Sequence, residues 1–351
     1  MAVTNLVKSR LPKPTKVFDS FWYLAAERQR IFRARLRRVP EPLTNDPVLR
    51  TFKFTNAYRA SDRTSQYLIR QVIYEKKRSW RDTFARILLF KLFNRIETWE
   101  IVSRRVGELT ADTFDVKAIS SVLDRALNQG CRIYSAAYIM PSALVFGSKR
   151  KHENHLRLLE SMLTNKVEVK IQDAQSMRAA FEILLAYPSI GPFLAYQLIT
   201  DLNYCPSLNF REDEFVMPGP GALDGLAKCF SDLGDLSPAD AIRWTMDTQE
   251  QQFQSRGIAF SDLWDRRLQL IDCQNLYCEV DKYARAVHPE FVGRTGRTRI
   301  KQRFRPRTEP VTAWYPPKWG INDQAGRWLV GATTAPGLSP HTPTQICLSR
   351  D

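Results

Sequence analysis

Residues 184 to 198 read LLAYPSIGPFLAYQL, and this stretch joins two apolar segments through Pro188, Ser189, Ile190, Gly191 and Pro192. The first proline stops one helix, and the second can begin the next helix, where its missing N–H is no loss. The glycine is expected to take a backbone conformation that other residues resist. The free N–H groups of the following helix would then face outward and suit a phosphate oxygen. A simple tight turn between packed helices is the alternative.

The composition favours a folded protein with a polyanionic partner. The chain has 351 residues, of which 44% are hydrophobic, and its 52 Lys and Arg against 37 Asp and Glu give a formal charge of +15. No apolar run approaches the roughly eighteen residues that span a bilayer. The opening residues, MAVTNLVKSR, lack the apolar middle of a signal peptide. We therefore expect a cytoplasmic monomer that binds double-stranded DNA and no membrane.

Neither a metal nor another cofactor is expected. Six cysteines are too few for a disulfide scaffold, and only Cys273 and Cys278 lie close together in sequence. Their spacing matches no zinc ligand set, and the four histidines are scattered.

Helical periodicity runs through the chain and predicts an all-α fold. Apolar residues recur at three- and four-residue steps, and no repeated period-two alternation or Asn-Gly or Asp-Gly hairpin turn occurs. Helices are predicted at 17–38, 60–76, 79–95, 98–108, 115–129, 152–164, 174–187, 191–203, 221–232, 239–255 and 262–287. Ser61 or Ser79 could cap the second and third of these helices. The stretch CRIYSAAYIMPSA (131–143) suits a strand or a buried helix, and we favour the helix.

Changes in composition divide the chain into three parts. Residues 1–16 are predicted to be a flexible lead-in, residues 17–290 the helical domain, and residues 291–351 a flexible tail that is basic and proline-rich. The tail opens with seven basic residues and no acidic one among them: Arg294, Arg297, Arg299, Lys301, Arg303, Arg305 and Arg307. Six arginines also mark the first helix, on a face that is either solvated or in contact with phosphates: Arg28, Arg30, Arg33, Arg35, Arg37 and Arg38.

The segment Tyr187-Pro188-Ser189-Ile190-Gly191 resembles the helix-hairpin-helix element of DNA repair glycosylases. That signature consists of an apolar residue, Pro, a small residue, an aliphatic residue and Gly. Members with lyase activity carry a Lys early in the second helix, where this chain has Phe193 and Leu194. The resemblance is therefore closer to members without lyase activity.

A wider resemblance covers about residues 18 to 288. The segments are PLTNDPVLRTFKFTNAYRASDRTSQYLI, RILLFKLFNRIETWE, AYIMP, DEFVMPGPGALDGL and DCQNLYCEVDKYAR. They resemble the family of α-glutamyl/putrescinyl thymine pyrophosphorylases and of the helical domain of 5-hydroxymethyluracil DNA kinases. The family is regarded as a branch of the helix-hairpin-helix glycosylase superfamily, associated with hypermodified pyrimidines in phage DNA. This implies two helical subdomains with a cleft between them.

The resemblance implies a carboxylate that faces the sugar of the target nucleotide. Such a group would stabilise an oxocarbenium-like transition state and activate water. In the superfamily it lies one helix and one loop beyond the hairpin glycine, which leads to Asp213 as first choice, with Glu214 beside it. The glycine-rich turn in DEFVMPGPGALDGL departs from the superfamily pattern, so Asp272 and Asp62 stay as alternatives. Each of the four could instead be a solvated loop charge, an intrahelical ion-pair partner or a helix-start residue.

A flipped base needs stacking faces and polar edges around it. The candidate pocket residues are Trp22, Tyr58, Arg59, Asp62, Gln66, Asn275 and Glu279. Core packing could explain the two aromatic residues, and a buried ion pair could explain the polar ones. Asp272, Asn275, Glu279 and Lys282 follow one helix face at steps of three and four, and Lys282 is a candidate DNA contact. Gly219 and Gly221 could form a second anion site or a plain helix start.

The resemblance, together with the elbow and the basic charge, implies a DNA glycosylase, a hydrolase that removes a bulky hypermodified pyrimidine such as glucosylated hydroxymethylcytosine from phage DNA and leaves an abasic site, in anti-phage defence. Two alternatives stay open. One is a non-catalytic DNA-binding helical module that works with a base-modifying enzyme. The other is a thymine-hypermodification pyrophosphorylase or transferase. No GxxxxGK[ST] phosphate-binding loop occurs in the sequence, which argues against kinase activity in these residues.

Overall fold

A computed structural model describes residues 10–136, 140–306, 311 and 313–334. The helices, in chain order, are α1 (Lys16–Leu36), α2 (Pro47–Thr51), α3 (Arg63–Tyr67), α4 (Trp80–Phe93), α5 (Ile96–Val106), α6 (Val116–Asn128), α7 (Lys151–Thr164), α8 (Val167–Gln172), α9 (Met177–Leu185), α10 (Pro192–Leu202), α11 (Pro220–Cys229), α12 (Pro238–Asp247), α13 (Gln249–Ser255), α14 (Leu270–Val287) and α15 (Asn322–Thr334). In the described residues, the strands are β1 (Lys13–Pro14) and β2 (Phe230–Asp232), paired antiparallel. The fold is therefore mostly helical, as predicted.

Side-chain caps fix where several helices begin. The hydroxyl of Ser79 accepts a hydrogen bond from the Asp82 N–H at 3.1 Å, which confirms one of the two predicted caps. Ser61 caps no helix and instead belongs to a 3₁₀ turn, so that α3 begins after Asp62. Beyond α3 the chain continues as a π-helix over Leu68–Ile73.

Two predicted helical stretches are irregular. Residues 131–136 and 140–143 form no helix, while 137–139 lie outside the described residues. The helix predicted from 262 begins only at Leu270, because Trp264 and Asp265 both have positive φ angles, 53° and 68°, which a right-handed helix excludes. The helix predicted over 221–232 ends at Cys229, since Phe230 turns into β2.

The long helix α14 lies at the centre of one half of the structure. It packs against α1, α11 and α12. An aromatic cluster fills the space between α1 and α14, with the rings of Phe21 and Tyr277 centred 4.7 Å apart and Phe18 next to Phe230. The other half is built around α4, which packs against α5, α7, α8 and α10.

The closest helix contact is between α11 and α14, and it depends on a glycine. A Cβ added to Gly225 would lie 2.0 Å from the carbonyl oxygen of Tyr277. No side chain fits at that distance, so this glycine sets how closely the two helices approach each other.

Parts of both terminal segments form hydrogen bonds to the rest of the protein. Asp235 accepts a hydrogen bond from the N–H of Arg10, and Thr15 donates its hydroxyl proton to the carbonyl of Lys228, which fixes the end of the predicted lead-in. The C-terminal part pairs at Gln302, whose carbonyl accepts from the N–H of Lys53 at 3.0 Å. Apolar and polar anchors thus hold segments that charge and proline content led us to expect as loose. The boundaries at 16 and 290 stay predictions.

Further anchors follow in residues 314 to 318. The Tyr315 side chain is fully buried, and its hydroxyl lies 2.9 Å from that of Ser61. The ammonium group of Lys318 donates to the carbonyls of Asn203, Cys205 and Leu208 just beyond the end of α10. The C-terminal segment therefore supplies a cation to the negative end of this helix.

Replacing Gly225 with Ala should lower the free energy of unfolding by about 1–3 kcal/mol, because the new methyl group forces α11 away from α14. Urea unfolding followed by circular dichroism at 222 nm measures the change. Gly326→Ala in α15 is the matched control, since a Cβ there meets nothing within 4 Å and Ala favours a helix. Equal effects of the two substitutions would contradict this account of the α11–α14 contact.

Candidate nucleic-acid interface

The segment between α9 and α10 forms a turn at the protein surface. We call residues 188–192 the elbow. Pro188, Gly191 and Pro192 are exposed, while the Ile190 side chain is only 4% exposed and anchors the turn in the core. The left-handed residue is Ser189, with a φ of 64°, whereas Gly191 has a φ of −79°. The unusual backbone conformation that was expected at Gly191 thus occurs two residues earlier, at Ser189.

Gly191 instead leaves space in front of the helix. It is the N-cap residue of α10, no side chain caps this helix, and a Cβ added at Gly191 would meet nothing within 4 Å. The first N–H groups of a helix have no partner within the helix. The start of α10 therefore combines a positive helix end with open space for an anion.

A second Gly-Pro pair begins α11 beside the first. Gly219 is the N-cap of α11 and likewise brings no side-chain cap. A Cβ added to it would lie 2.5 Å from the ring of Phe193 in α10, and one added to Gly221 would lie 3.1 Å from the Cys278 sulfur. Both glycines are needed for packing, and this packing places the two uncapped helix starts side by side.

The polar strip of α14 faces the loop between α2 and α3. We call residues 52–62 the central loop. Asp272 accepts from the N–H of Arg59 at 2.7 Å and Glu279 from the N–H of Thr55 at 3.0 Å. Lys282 pairs with Glu279 at 2.7 Å and lies over the ring of Phe54. Asn275 is half-buried on the same helix face. The strip thus positions the central loop, and Lys282 is engaged within the protein.

The side chain of Arg59 points away from this strip into a buried ion-pair network. Its guanidinium group binds both carboxylate oxygens of Asp201 in α10, at 2.6 and 2.9 Å, and also Gln197 and the hydroxyl of Tyr204. Lys91 of α4 reaches Asp201 at 3.1 Å. All three charged side chains are nearly inaccessible to solvent. This is the ion-pair alternative that the sequence left open for Arg59.

The network fixes protonation states inside the core. Burial opposes ionisation of Asp201, yet Arg59 and Lys91 hold its pKa below the usual range. Burial lowers the pKa of Lys91, and Asp201 partly compensates. Sequence reasoning named only Arg59 of these residues. Asp201 is the one charged residue of α10, and this is the signal that could have found the partner of Arg59.

A half-buried polar group surrounds Asp62 at the end of the central loop. Its carboxylate accepts from the N–H of Asn56 at 2.8 Å, and the guanidinium group of Arg28 reaches the Asn56 side chain at 3.1 Å. Burial, together with the charge of Glu279, raises the pKa of Asp62 to about 7. The hydroxyl of Thr55 is buried and has no hydrogen-bond partner among the described residues. These groups provide donors, acceptors and a carboxyl that titrates near neutrality.

A cavity of about 350 Å³ opens on the other side of Arg28. Arg28, Arg35 and Arg50 line it, with Glu41 as the acidic residue and Phe304 as an aromatic wall. Arg28, one of the six arginines of the series on α1, has a structural role. Its side chain is only 6% exposed and donates to the Thr55 carbonyl at 2.8 Å.

The remaining pocket candidates are core residues. Trp22 is fully buried among aromatic rings, and the hydroxyl of Tyr58 donates to the Arg266 carbonyl at 2.8 Å. Gln66 donates to the Ala60 carbonyl and accepts from the N–H of Trp314. The structure thus gives Trp22 and Tyr58 the core-packing role that the sequence allowed, and Gln66 holds the C-terminal segment.

Three of the four carboxylates predicted to be catalytic are held by partners within the protein. The side chains of Asp213 and Glu214 are 42% and 47% exposed, and both pair with Arg211. The Arg211 guanidinium group lowers the pKa of Asp213. Asp272 is buried, with one oxygen on Arg59 and the other accepting from the Gln269 N–H at 3.0 Å. The first two are solvated loop charges, and Asp272 caps α14.

No group of three or more His, Cys, Asp or Glu side chains that could hold a metal ion occurs within residues 10–136, 140–306 and the described C-terminal segment. Over the same residues, no helix is both long and apolar enough to cross a bilayer.

These features define a helical protein with a surface hairpin, two adjacent uncapped helix starts and a polar group behind them. A family model for the helical domain of the 5-hmdU DNA kinase matches residues 15–293, and the chain belongs to this family. A curated relative, the 5-hmdU DNA kinase of Bacillus phage SP10, is 24% identical over an alignment of 288 residues, which covers 76% of this chain and 45% of the relative. The chain thus spans about half the length of that relative. No solved structure matches.

The comparisons confirm the resemblance to the DNA kinase helical domain and overturn the predicted activity. The relative is named a kinase, a transferase, so the glycosylase and hydrolase prediction is wrong. The error came from the hairpin signature, which reports how a chain holds a DNA backbone and carries no information on the bond that is broken. The alternative of a DNA-binding module in a base-modifying system agrees better with the finding.

Asp62→Asn should change how stability depends on pH. A carboxyl whose pKa rises from 3.8 when unfolded to about 7 when folded binds its proton more tightly in the folded state, so its contribution to stability is lost as the pH rises from about 4 to 7. The variant avoids this loss, and its melting temperature relative to wild type should be higher at pH 8 than at pH 5. A difference that does not vary with pH would contradict the proposed titration.

Asp201→Asn should lower the free energy of unfolding by about 3–5 kcal/mol, because Arg59 and Lys91 remain buried without a countercharge. Asp213→Asn is the control, an exposed pair whose loss should cost less than about 0.5 kcal/mol. Chemical unfolding measures both. Similar values for the two variants would show that the buried network is not a main determinant of stability.

Proposed function

We propose that this chain is the DNA-binding helical module of a system that modifies a thymine-related base in double-stranded DNA. The single observation that carries the proposal is the pair of uncapped helix starts at Gly191 and Gly219, held side by side by Phe193. The formal charge of +15 and membership of a DNA kinase helical-domain family support the same partner.

Phosphate binding at the elbow follows from helix electrostatics. The positive end of the helix dipole makes the start of α10 an anion site, and the open space at Gly191 lets a phosphate approach closely. Such contacts hold the DNA backbone and read no sequence. The elbow is therefore proposed to position the duplex, while other residues select the base.

We further propose that the fold is of the helix-hairpin-helix glycosylase type in architecture alone, with two helical subdomains and a cleft between them. One subdomain would contain α4 to α9 and the other α1 and α11 to α14. Support comes from the packing of these two helix groups around α4 and α14, and from the network in which Arg59 joins α10 to the central loop.

The polar group around Asp62 is the proposed base-reading part. Asn56, Asp62 and the buried hydroxyl of Thr55 offer the donors and acceptors that a pyrimidine with a polar 5-substituent requires. The related phage protein is named for 5-hmdU, and we extend that base class to this chain. Phosphoryl transfer would be supplied from outside these 351 residues, which contain no GxxxxGK[ST] loop.

A charge placed at the elbow tests the proposal. Gly191→Asp should lower affinity for duplex DNA by about tenfold or more, since a carboxylate would face the phosphate, while the new N-cap keeps or raises stability. Gly191→Asn is the neutral cap of nearly equal size and should bind more tightly than the Asp variant. Fluorescence anisotropy at several salt concentrations measures binding, and melting temperatures verify folding. Equal affinities for wild type and both variants would refute the elbow as a phosphate site.

Base selection needs a separate experiment. Duplexes of one sequence that carry either thymine or 5-hydroxymethyluracil at one position are compared, and we expect tighter binding of the modified duplex. Asp62→Asn should reduce this preference while leaving the affinity for the thymine duplex nearly unchanged. A wild-type protein that binds both duplexes equally would contradict the proposed base class and leave the elbow untouched.

A further inference from the structure

Two large apolar side chains stand in solvent at a turn of 3₁₀ helix, Leu144–Phe146. Leu144 is 74% and Val145 is 72% exposed, which are the highest values among the exposed large hydrophobic side chains of the described residues. Single exposed apolar residues are common on protein surfaces. Two adjacent ones on a structured turn call for an explanation.

The turn is held rigidly from below. Asn154 is fully buried, donates to the carbonyls of Ser142 and Ser148 and accepts from the Ser148 N–H at 2.9 Å. Ala143 precedes the turn with a φ of 49° although its side chain is buried. A buried amide and a strained backbone angle thus hold the turn in place. Neither would be required if the two apolar side chains packed onto the core.

The position of the turn relates it to the elbow. A cavity of about 590 Å³ is lined by Val145 and Phe146 on one side and by Tyr187 and Pro188 on the other. Lys170 also lines this cavity, and the basic residues 149–151 directly follow the turn. Val145 therefore borders the elbow, and Lys170 places a positive charge in the same cavity, while Arg150 is paired with Asp124 and Glu153.

We propose that Leu144 and Val145 form a wedge that enters a base step of the bound duplex. This inference rests on the proposed function. Proteins that bend DNA insert Leu, Ile, Met or Phe side chains between bases, which unstacks the step and kinks the duplex. The rigid turn avoids an ordering cost on binding, and the basic surroundings complement the flanking phosphates.

The test uses a duplex with 2-aminopurine, whose fluorescence rises when its neighbours unstack. Wild-type protein should raise the fluorescence at one position. The double variant Leu144→Ala, Val145→Ala should lose this rise and bind about tenfold more weakly, with an unchanged melting temperature. Leu144→Phe should keep the fluorescence rise. Leu127→Ala is the control, because this α6 side chain is 43% exposed and does not line the cavity beside the elbow.

The possible outcomes separate this inference from the proposed function. Wild-type binding that depends on salt but gives no fluorescence change, with equal affinity of the double variant, would overturn the wedge and leave the DNA-binding module standing. A double variant that only loses self-association in size-exclusion chromatography would also overturn it. Absence of any duplex binding by wild type would refute both proposals.

Discussion

The buried charge network of Arg59, Asp201 and Lys91 is the interaction on which the rest of the structure depends. It connects the central loop to α4 and to α10, the helix that begins at the elbow. Because no water reaches these groups, each charge requires the others. The direction of α10, and with it the position of its exposed start, is therefore set from inside the protein.

The network is linked to α14 through the backbone of the same arginine. The N–H of Arg59 binds Asp272 while its side chain binds Asp201, so one residue connects α14 to α10. Gln197 adds a second link, donating to Gln274 of α14 at 3.3 Å. The polar residues of α14 thus organise the central loop, within which Asp62 accepts a hydrogen bond from the Asn56 N–H.

Much of the fold could be predicted from sequence because helical periodicity and caps are local properties. The start of α10 at Pro192 and the cap at Ser79 are examples. The irregular stretch at 264–265 could not be predicted, since its positive φ angles follow from contacts with distant residues. In the candidate site, the spacing of Asp272 and Glu279 predicted that both lie on one face of a helix. The partner of Arg59 and the exposure of Asp213 were not, because both depend on which helices meet in space.

The ammonium group of Lys318 bears on where the chain can be shortened. This group donates hydrogen bonds to three carbonyl groups just beyond the end of α10. Lys318 lies 25 positions past residue 293, where the family match stops. A version trimmed to the matched residues would leave those carbonyls without their cation and uncover the side of Tyr204 that Trp319 contacts. The carbonyl groups just beyond the helix that starts at the elbow are therefore bound by a residue that lies outside the family match.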